Sequence, residues 1–302
     1  MNRTSPLPLP LPDTRPVRRF TKAIRLPLGP GFAAVLLCVF YSAAIFGPSL
    51  VPHDPREQVL SNRLLPPIGF GDEATWSHPL GTDQLGRDQV SRLITGARVT
   101  ALVVTTAIIA STILGTLAGL LSGYVGRWVD MLLMRFVDIQ LSIPALILAI
   151  ALASTMDPGI KNIFIVLVVW SWAPFARVVR AEVLSQRSRD YVTAARTTGC
   201  TDVRIMLRHI LPNIIPVISV LATLNVGRFI VFEAGLSFLG LGVQEPSPAW
   251  GSMLAAARTL IVDAWWLAVS PGVAILTVSL AGNMLGDYLS DRLDPKKVWK
   301  AS

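Results

Sequence analysis

Six apolar stretches, at residues 32–51, 99–125, 137–156, 161–178, 210–232 and 264–286, constrain this chain more than any motif in it. A helix needs about 20 apolar residues to cross a bilayer. Lipid offers the backbone no hydrogen-bonding partner, so a spanning chain must satisfy its own N–H and C=O groups. The expected fold is therefore an all-α polytopic membrane protein with six transmembrane helices. Composition points the same way: the chain is 52% hydrophobic and 15% charged, with mean hydropathy +0.55, where a soluble domain carries about 25% charged residues. The fourth stretch is the shortest and needs Lys161 and Arg177 to reach from its ends toward the headgroups.

Orientation follows from the distribution of Lys and Arg. With the N-terminus inside, 19 of the 27 basic residues fall in inside segments and 7 in outside segments, with Arg228 within a span. Both termini are expected to be cytoplasmic. The net charge of +8 then reads as membrane topology, with no soluble domain to carry a nucleic-acid surface. Three regions follow: a basic, proline-rich tail over 1–31, a first span with a long outside segment over 32–98, and a five-helix core over 99–302. The first apolar run is longer than the core of a secretory signal, about 7–15 residues, so it is expected to remain as a span. Cys38 and Cys200 fall on different sides of this topology, so no disulfide is expected. His53, His78 and His209 are scattered, with no metal-ligand spacing.

Within the spans, Gly115, Gly119 and Gly123 repeat every four residues and so share one helix face, where another helix can approach closely. Packing within the chain is the favoured use, ahead of a subunit contact. Pro144, Pro174, Pro216 and Pro271 lie in spans three to six and can kink them. Asp138 follows Arg135 by three residues and is expected to pair with it. The segment Gly235–Gly242 is apolar but too short to span, which suggests a re-entrant or interfacial piece.

The polar loop 177–209 has a structure of its own. Asp190 is placed to cap a short helix from Tyr191 to Thr198. Gly199 would end that helix, and Thr201 or Asp202 would cap the next. Pro212 marks the entry to the fifth span. Ala194 and Ala195, beside Tyr191 and Val192, form a small smooth surface over which a partner's groove could close. Arg187, Arg189, Arg196, Arg204 and Arg208 would rim it. An amphipathic loop resting on headgroups is equally consistent with these residues.

Ala194-Ala195, Gly199 four residues on, and Leu211-Pro212 resemble the EAA loop of bacterial ABC importer permeases. Thr193 stands where that family has Glu, and His209 where it has Ile. His78-Pro79-Leu80-Gly81-Thr82-Asp83 with Gly86-Arg87-Asp88 and Ser91-Arg92 is also similar to this family. So are Arg208–Asn213, Leu236–Gly242, Trp250-Gly251, Gly286-Asp287 and Leu293-Asp294-Pro295. Together they resemble the C-type permease subunit of dipeptide, oligopeptide and nickel transporters, over roughly 32–297.

The resemblance implies a type I importer bundle in the bacterial inner membrane. It implies a homologous second permease subunit, two ATP-binding subunits below, and a periplasmic or lipoprotein solute-binding protein above. Residues 177–209 would be the coupling loop, with Tyr191, Ala194, Ala195, Arg196, Gly199, Asp202, Arg208, Leu211 and Pro212 at the ATPase. None of the five lysines sits in a Walker A setting, so ATP and Mg are expected on the partner subunits, with no cofactor, metal or catalytic residue in this chain.

Arg228 lies within the fifth span and is the candidate pathway residue, drawing a solute carboxylate; the bland alternative is an Arg that snorkels to an interface. Asp83, Arg87 and Asp88 are candidate contacts for the solute-binding protein, or members of a local salt-bridge lattice with Arg92. The rival functional classes are a six-span secondary carrier or channel, which would favour inverted repeats, and an intramembrane enzyme. An enzyme would need a nucleophile and base, or a metal cluster, within the spans.

Overall fold

A computed structural model of the protein describes residues 28–293. The expected tail over 1–31 lies outside the described residues up to position 27, as do Asp294 and Pro295. The chain forms α1 (Leu28–Phe46), α2 (Gln89–Val125), α3 (Arg127–Ser142), α4 (Ala145–Ala153), α5 (Ile160–Arg187) and α6 (Asp190–Thr197). A short α7 (Asp202–Arg204) runs through a π-helical stretch, Ile205–Ile210, into α8 (Leu211–Phe238), followed by α9 (Trp250–Ala257) and α10 (Trp266–Leu293).

Among the described residues, five helices are long and apolar enough to span: Gly29–Phe46, Gln89–Val125, Ile160–Arg187, Asp202–Phe238 and Trp266–Arg292. The third expected span is not one straight helix. It is the pair α3 and α4, bent by 93° at their junction. Pro144 is the cause: it disfavours helical backbone at the residue before it. Ile143 accordingly sits at φ −87°, ψ 127° and Pro144 at ψ 129°, both extended. Pro174, Pro216 and Pro271 lie inside helices that continue past them.

The second span starts ten residues earlier than its apolar run. Asp88 caps α2, its carboxylate accepting the Ser91 N–H at 2.8 Å, which satisfies one of the orphan donors of a helix start. At 37 residues, α2 is about 55 Å long, well beyond a hydrocarbon core of about 30 Å. Its polar first turns therefore stand clear of the apolar zone, and they organise one end of the bundle.

The glycine ladder packs α2 against α5. A Cβ at Gly115 would lie 2.4 Å from the Phe175 Cβ; at Gly119, 2.6 Å from the Ala176 carbonyl; at Gly123, 2.8 Å from the Val183 Cβ. The expected use, packing within the chain, is what these glycines serve. α8 and α10 meet in the same way, with Gly227 against the Ser279 carbonyl and Gly286 against Leu224. The main core joins Phe40, Val103, Val104, Leu167, Phe229 and Trp250. Large apolar side chains such as Ile109, Ile113, Leu132, Phe136, Val273 and Leu276 stay exposed on the spanning helices, as a lipid-facing or subunit-facing surface requires.

Two expectations need correction. Asp138 pairs with Arg177 of α5, 39 residues on, and not with Arg135. Gly235–Gly242 is no re-entrant piece: its first four residues are the last turn of α8. The rest folds back so tightly that a Cβ on Gly242 would lie 2.2 Å from the Ser237 hydroxyl.

Candidate functional site

The loop between α5 and α8 forms α6, held under the bundle by a small apolar cluster. Val192 and Ala195 of α6 pack with Leu120, Tyr124, Val179, Val183, Ile205 and Ile210. The helix begins one residue earlier than expected, at Asp190. Arg189 holds the cap position without a side-chain bond, so Asp190 lies in the first turn and is not the cap. Its negative charge there still favours the helix N-terminus. Gly199 has φ +80°, the left-handed turn that ends a helix with least strain in glycine. Thr201 is the cap position of α7, again with no side-chain bond.

The expected Ala194-Ala195 surface is divided. Adjacent helical residues point about 100° apart, and here burial separates the two. Ala195 is 8% exposed and Val192 1% exposed; both point into the bundle. Ala194 is exposed, together with Thr193, Arg196, Thr197, Thr198 and Gly199. The accessible face of α6 is therefore Thr193, Ala194 and Thr197, with Arg196 at its side.

Polar contacts fix how α6 sits. The Tyr124 hydroxyl donates to Asp202 Oδ1 at 2.5 Å and accepts from Arg196 Nη2 at 3.3 Å. The Arg196 and Arg187 guanidinium groups lie 5.9 and 5.8 Å from the Tyr124 ring centroid, within cation–π range. Tyr191 donates to Gln186 at 2.8 Å, and Asn213 Nδ2 reaches the Tyr191 oxygen at 3.5 Å. Leu211 is half-buried, while Arg208 and Pro212 are exposed. Tyr124, at the last turn of α2, was not picked out by sequence reasoning; nothing local marks it as a contact of this distant loop.

The other end of α2 is organised differently. Asp83, Arg87, Asp88 and Arg92 are between 2% and 7% exposed. Arg87 Nε donates to Asp83 Oδ2 at 2.7 Å, Arg87 Nη1 to Glu245 Oε2 at 2.6 Å, and Arg92 Nη2 to Glu245 Oε1 at 2.7 Å. Of the two readings, the geometry gives the lattice, and adds Glu245 from 158 residues away. Burial works against ionisation of Glu245. The hydrogen bonds and charge of Arg92, then of Arg87, outweigh it and hold the carboxyl below its usual range. Gly86, at φ +72°, brings its backbone so close to Val59 that a Cβ would lie 1.9 Å from the Val59 carbonyl oxygen. The structure also gathers His53 and His78 at Asp88, which their spacing along the chain does not signal.

Arg228 is exposed on α8 and makes no ion pair among the described residues. It borders a pocket of about 320 Å³ with Trp170, Phe232, Ser279 and Asn283; Trp170 and Phe232 stack at 4.2 Å. Glu233 is not its partner. That carboxylate is fully buried and accepts from Thr100 at 3.1 Å and Ser237 at 2.9 Å.

A helical bundle with an apolar exterior, and a short helix slung beneath three of its spans, defines a polytopic membrane subunit. Residues 115–298 match the family model of the binding-protein-dependent transport system inner membrane component, and residues 32–67 that of the N-terminal TM domain of oligopeptide transport permease C. The chain belongs to this family of multi-pass permease subunits of ABC importers. It is 44% identical over 267 residues to the di/tripeptide transport system permease protein DppC of Pseudomonas aeruginosa, covering 88% of this chain and 87% of that one. It is 35% identical over 292 residues to the dipeptide transport system permease protein DppC of Haemophilus influenzae, covering 97% and 99%. The fold is similar to the inward-facing MetNI methionine ABC transporter, with TM-score 0.56 and 18% identity over 67% of this chain and 96% of that one.

Proposed function

We propose that this chain forms half of the translocation pathway of an ATP-driven importer of di- or oligopeptides in the bacterial inner membrane. The observation that carries this is the near full-length similarity to permeases named for di- and tripeptide transport. A second, related permease subunit completes the pathway. A solute-binding protein delivers the peptide at the end built from Asp83, Arg87 and Glu245. The α6 end, with both termini, faces the cytoplasm; the excess of Lys and Arg in those segments supports this placement.

Two ATPase subunits, which bind ATP and Mg, receive the exposed face of α6. The groups at that joint are Thr193, Ala194, Arg196 and Gly199 on the surface, with Tyr191, Ala195, Asp202 and Leu211 holding the helix in place. ATP-driven closure of the ATPases moves α6 and rocks the bundle between inward-open and outward-open states. Arg228, without an ion-pair partner among the described residues and beside an aromatic pocket, attracts the peptide carboxylate as it passes.

The test is uptake of a labelled dipeptide into proteoliposomes. Uptake is expected only when the complete complex, binding protein and ATP are present. Uptake by this chain alone would overturn the subunit reading. Normal transport by an Arg228→Ala complex at normal expression would remove Arg228 from the pathway.

A further inference from the structure

Three segments converge where α2 begins. His53 follows the end of α1, His78 opens the turn before Gly81, and Asp88 caps α2. His78 Nδ1 lies 2.9 Å from Asp88 Oδ1, and His53 Nδ1 lies 3.9 Å from Asp88 Oδ2. The two imidazole rings lie 4.6 Å apart, inclined by 33°. One potential ligand atom from each residue falls within 4.8 Å of the others.

The arrangement is well held on two sides and unfinished on the third. Asp88 Oδ2 accepts from the Ser91 N–H at 2.8 Å and the Ser91 hydroxyl at 2.7 Å, so the carboxylate is fixed. His78 Nε2 lies 3.4 Å from Asn62 Nδ2. The His53 backbone N–H donates to Ser91 Oγ at 3.2 Å, which brings residue 53 to the same turn. Yet His53 Nδ1 is shielded from solvent without a hydrogen-bond partner. A shielded ring nitrogen without a partner costs free energy, and here it points at a neighbouring imidazole and a carboxylate.

We infer that His53, His78 and Asp88 form a binding site for a divalent transition metal ion of the zinc class. Two imidazoles and one carboxylate suit such ions, and three protein ligands leave a fourth position for solvent. Tetrahedral ligation at about 2.0–2.1 Å sets ligand atoms roughly 3.3 Å apart. The Asp88–His78 pair is already near that separation. His53, whose side chain is 35% exposed, is the ligand that swings inward, and it gives the ion its way in. Ligation through His78 Nδ1 shifts the ring proton to Nε2, where the Asn62 amide turns to accept it. Asn62 and Ser91 thus orient the ligands from behind. An ion there ties the segment after α1, the 78–88 turn and the first turn of α2 together. It stiffens that end of the subunit independently of the peptide and of ATP.

Zinc content of the complete transporter complex, after equilibrium dialysis against Zn²⁺ alone, tests this. The wild-type complex is expected to hold one more Zn²⁺ per copy of this chain than the His53→Ala complex. His209→Ala, remote from the cluster, should keep that ion. Asn62→Ala should weaken binding about 10–100-fold. His53→Ala is the decisive variant, because the His53 ring makes no hydrogen bond that the fold depends on; its melting midpoint without metal should equal that of the wild type. Equal zinc content in wild type and His53→Ala would overturn the site. So would loss of the ion in His209→Ala alone.

Discussion

The two ends of α2 solve opposite problems. At its first turns, charged side chains are turned inward and paired: Asp83, Arg87, Asp88 and Arg92 are nearly solvent-free, and Gly86 is pressed onto the Val59 backbone. At its last turn, Tyr124 bonds Arg196 of α6 and Asp202 of α7, and both charges remain at the surface. A Cβ at Gly199 would meet nothing within 4 Å. The first end spends its charges on holding itself together, and the second keeps them at the surface. Substitutions at the first end should therefore damage the fold, and those at the second should damage coupling.

The largest expected effect is at Arg92. Replacing it with Ala empties a nearly solvent-free site and removes one of the two guanidinium groups that Asp83 and Glu245 share, losses that together should cost about 3–5 kcal/mol. Thermal denaturation of the purified complex should show a strongly lowered midpoint. A midpoint within a degree or two of wild type would break the comparison at its strongest point.

The glycines give the next contrast. Gly86→Ala combines a left-handed backbone with a backbone clash and should cost about 3 kcal/mol or more. Gly199→Ala has open space and should cost only the conformational penalty, about 1–2 kcal/mol. Equal losses of stability in the two variants would mean that the α6 turn is as tightly built as the far end.

Within α6 itself, Ala195→Leu overpacks a filled cluster and should cost about 1–3 kcal/mol. Ala194→Leu, one residue away on the exposed face, should change stability by no more than about 0.5 kcal/mol. Yet peptide uptake should fall in both. Retained uptake with Ala194→Leu would remove that face from the coupling joint.

The smallest effect is on pH dependence. Glu245 has a lowered pKa in the folded protein, so its contribution is present in full above the ordinary carboxylate value of 4.5. It is lost as pH falls through the lower folded value. Glu245→Gln should flatten the acid side of the melting-midpoint profile and leave the neutral side parallel to wild type.

Much of this architecture was legible from hydropathy, because lipid leaves a long apolar run few alternatives to helix. What failed to show were features made by distant residues. Hydropathy could not say whether Pro144 would kink a span or break it; the extended backbone of Ile143 decided that. The start of α2 was hidden because its first turns are polar and serve the lattice. Asp138 found Arg177 instead of the nearer Arg135, and Glu245 joined Arg87 from across the chain. At α6 the signal was local: Val192 and Ala195 lie three apart, the spacing of a buried helical face. The paired alanines look alike in the sequence, but the helix period turns one inward and the other outward. His53, His78 and Asp88 meet only because the turns at Gly81 and Gly86 fold the intervening chain back.

The exposed face of α6 is the proposed meeting point of this subunit with its ATPase. Site-specific cross-linking tests it directly. With Cys38 and Cys200 replaced by Ser, a single cysteine at Ala194 should cross-link to the ATPase subunit in the assembled complex, with a yield that changes when ATP is added. A cysteine at Leu80, exposed at the opposite end, should give no such product. Cross-linking to the ATPase from Leu80, or none from Ala194 in a complex that hydrolyses ATP, would mean that α6 is not the joint.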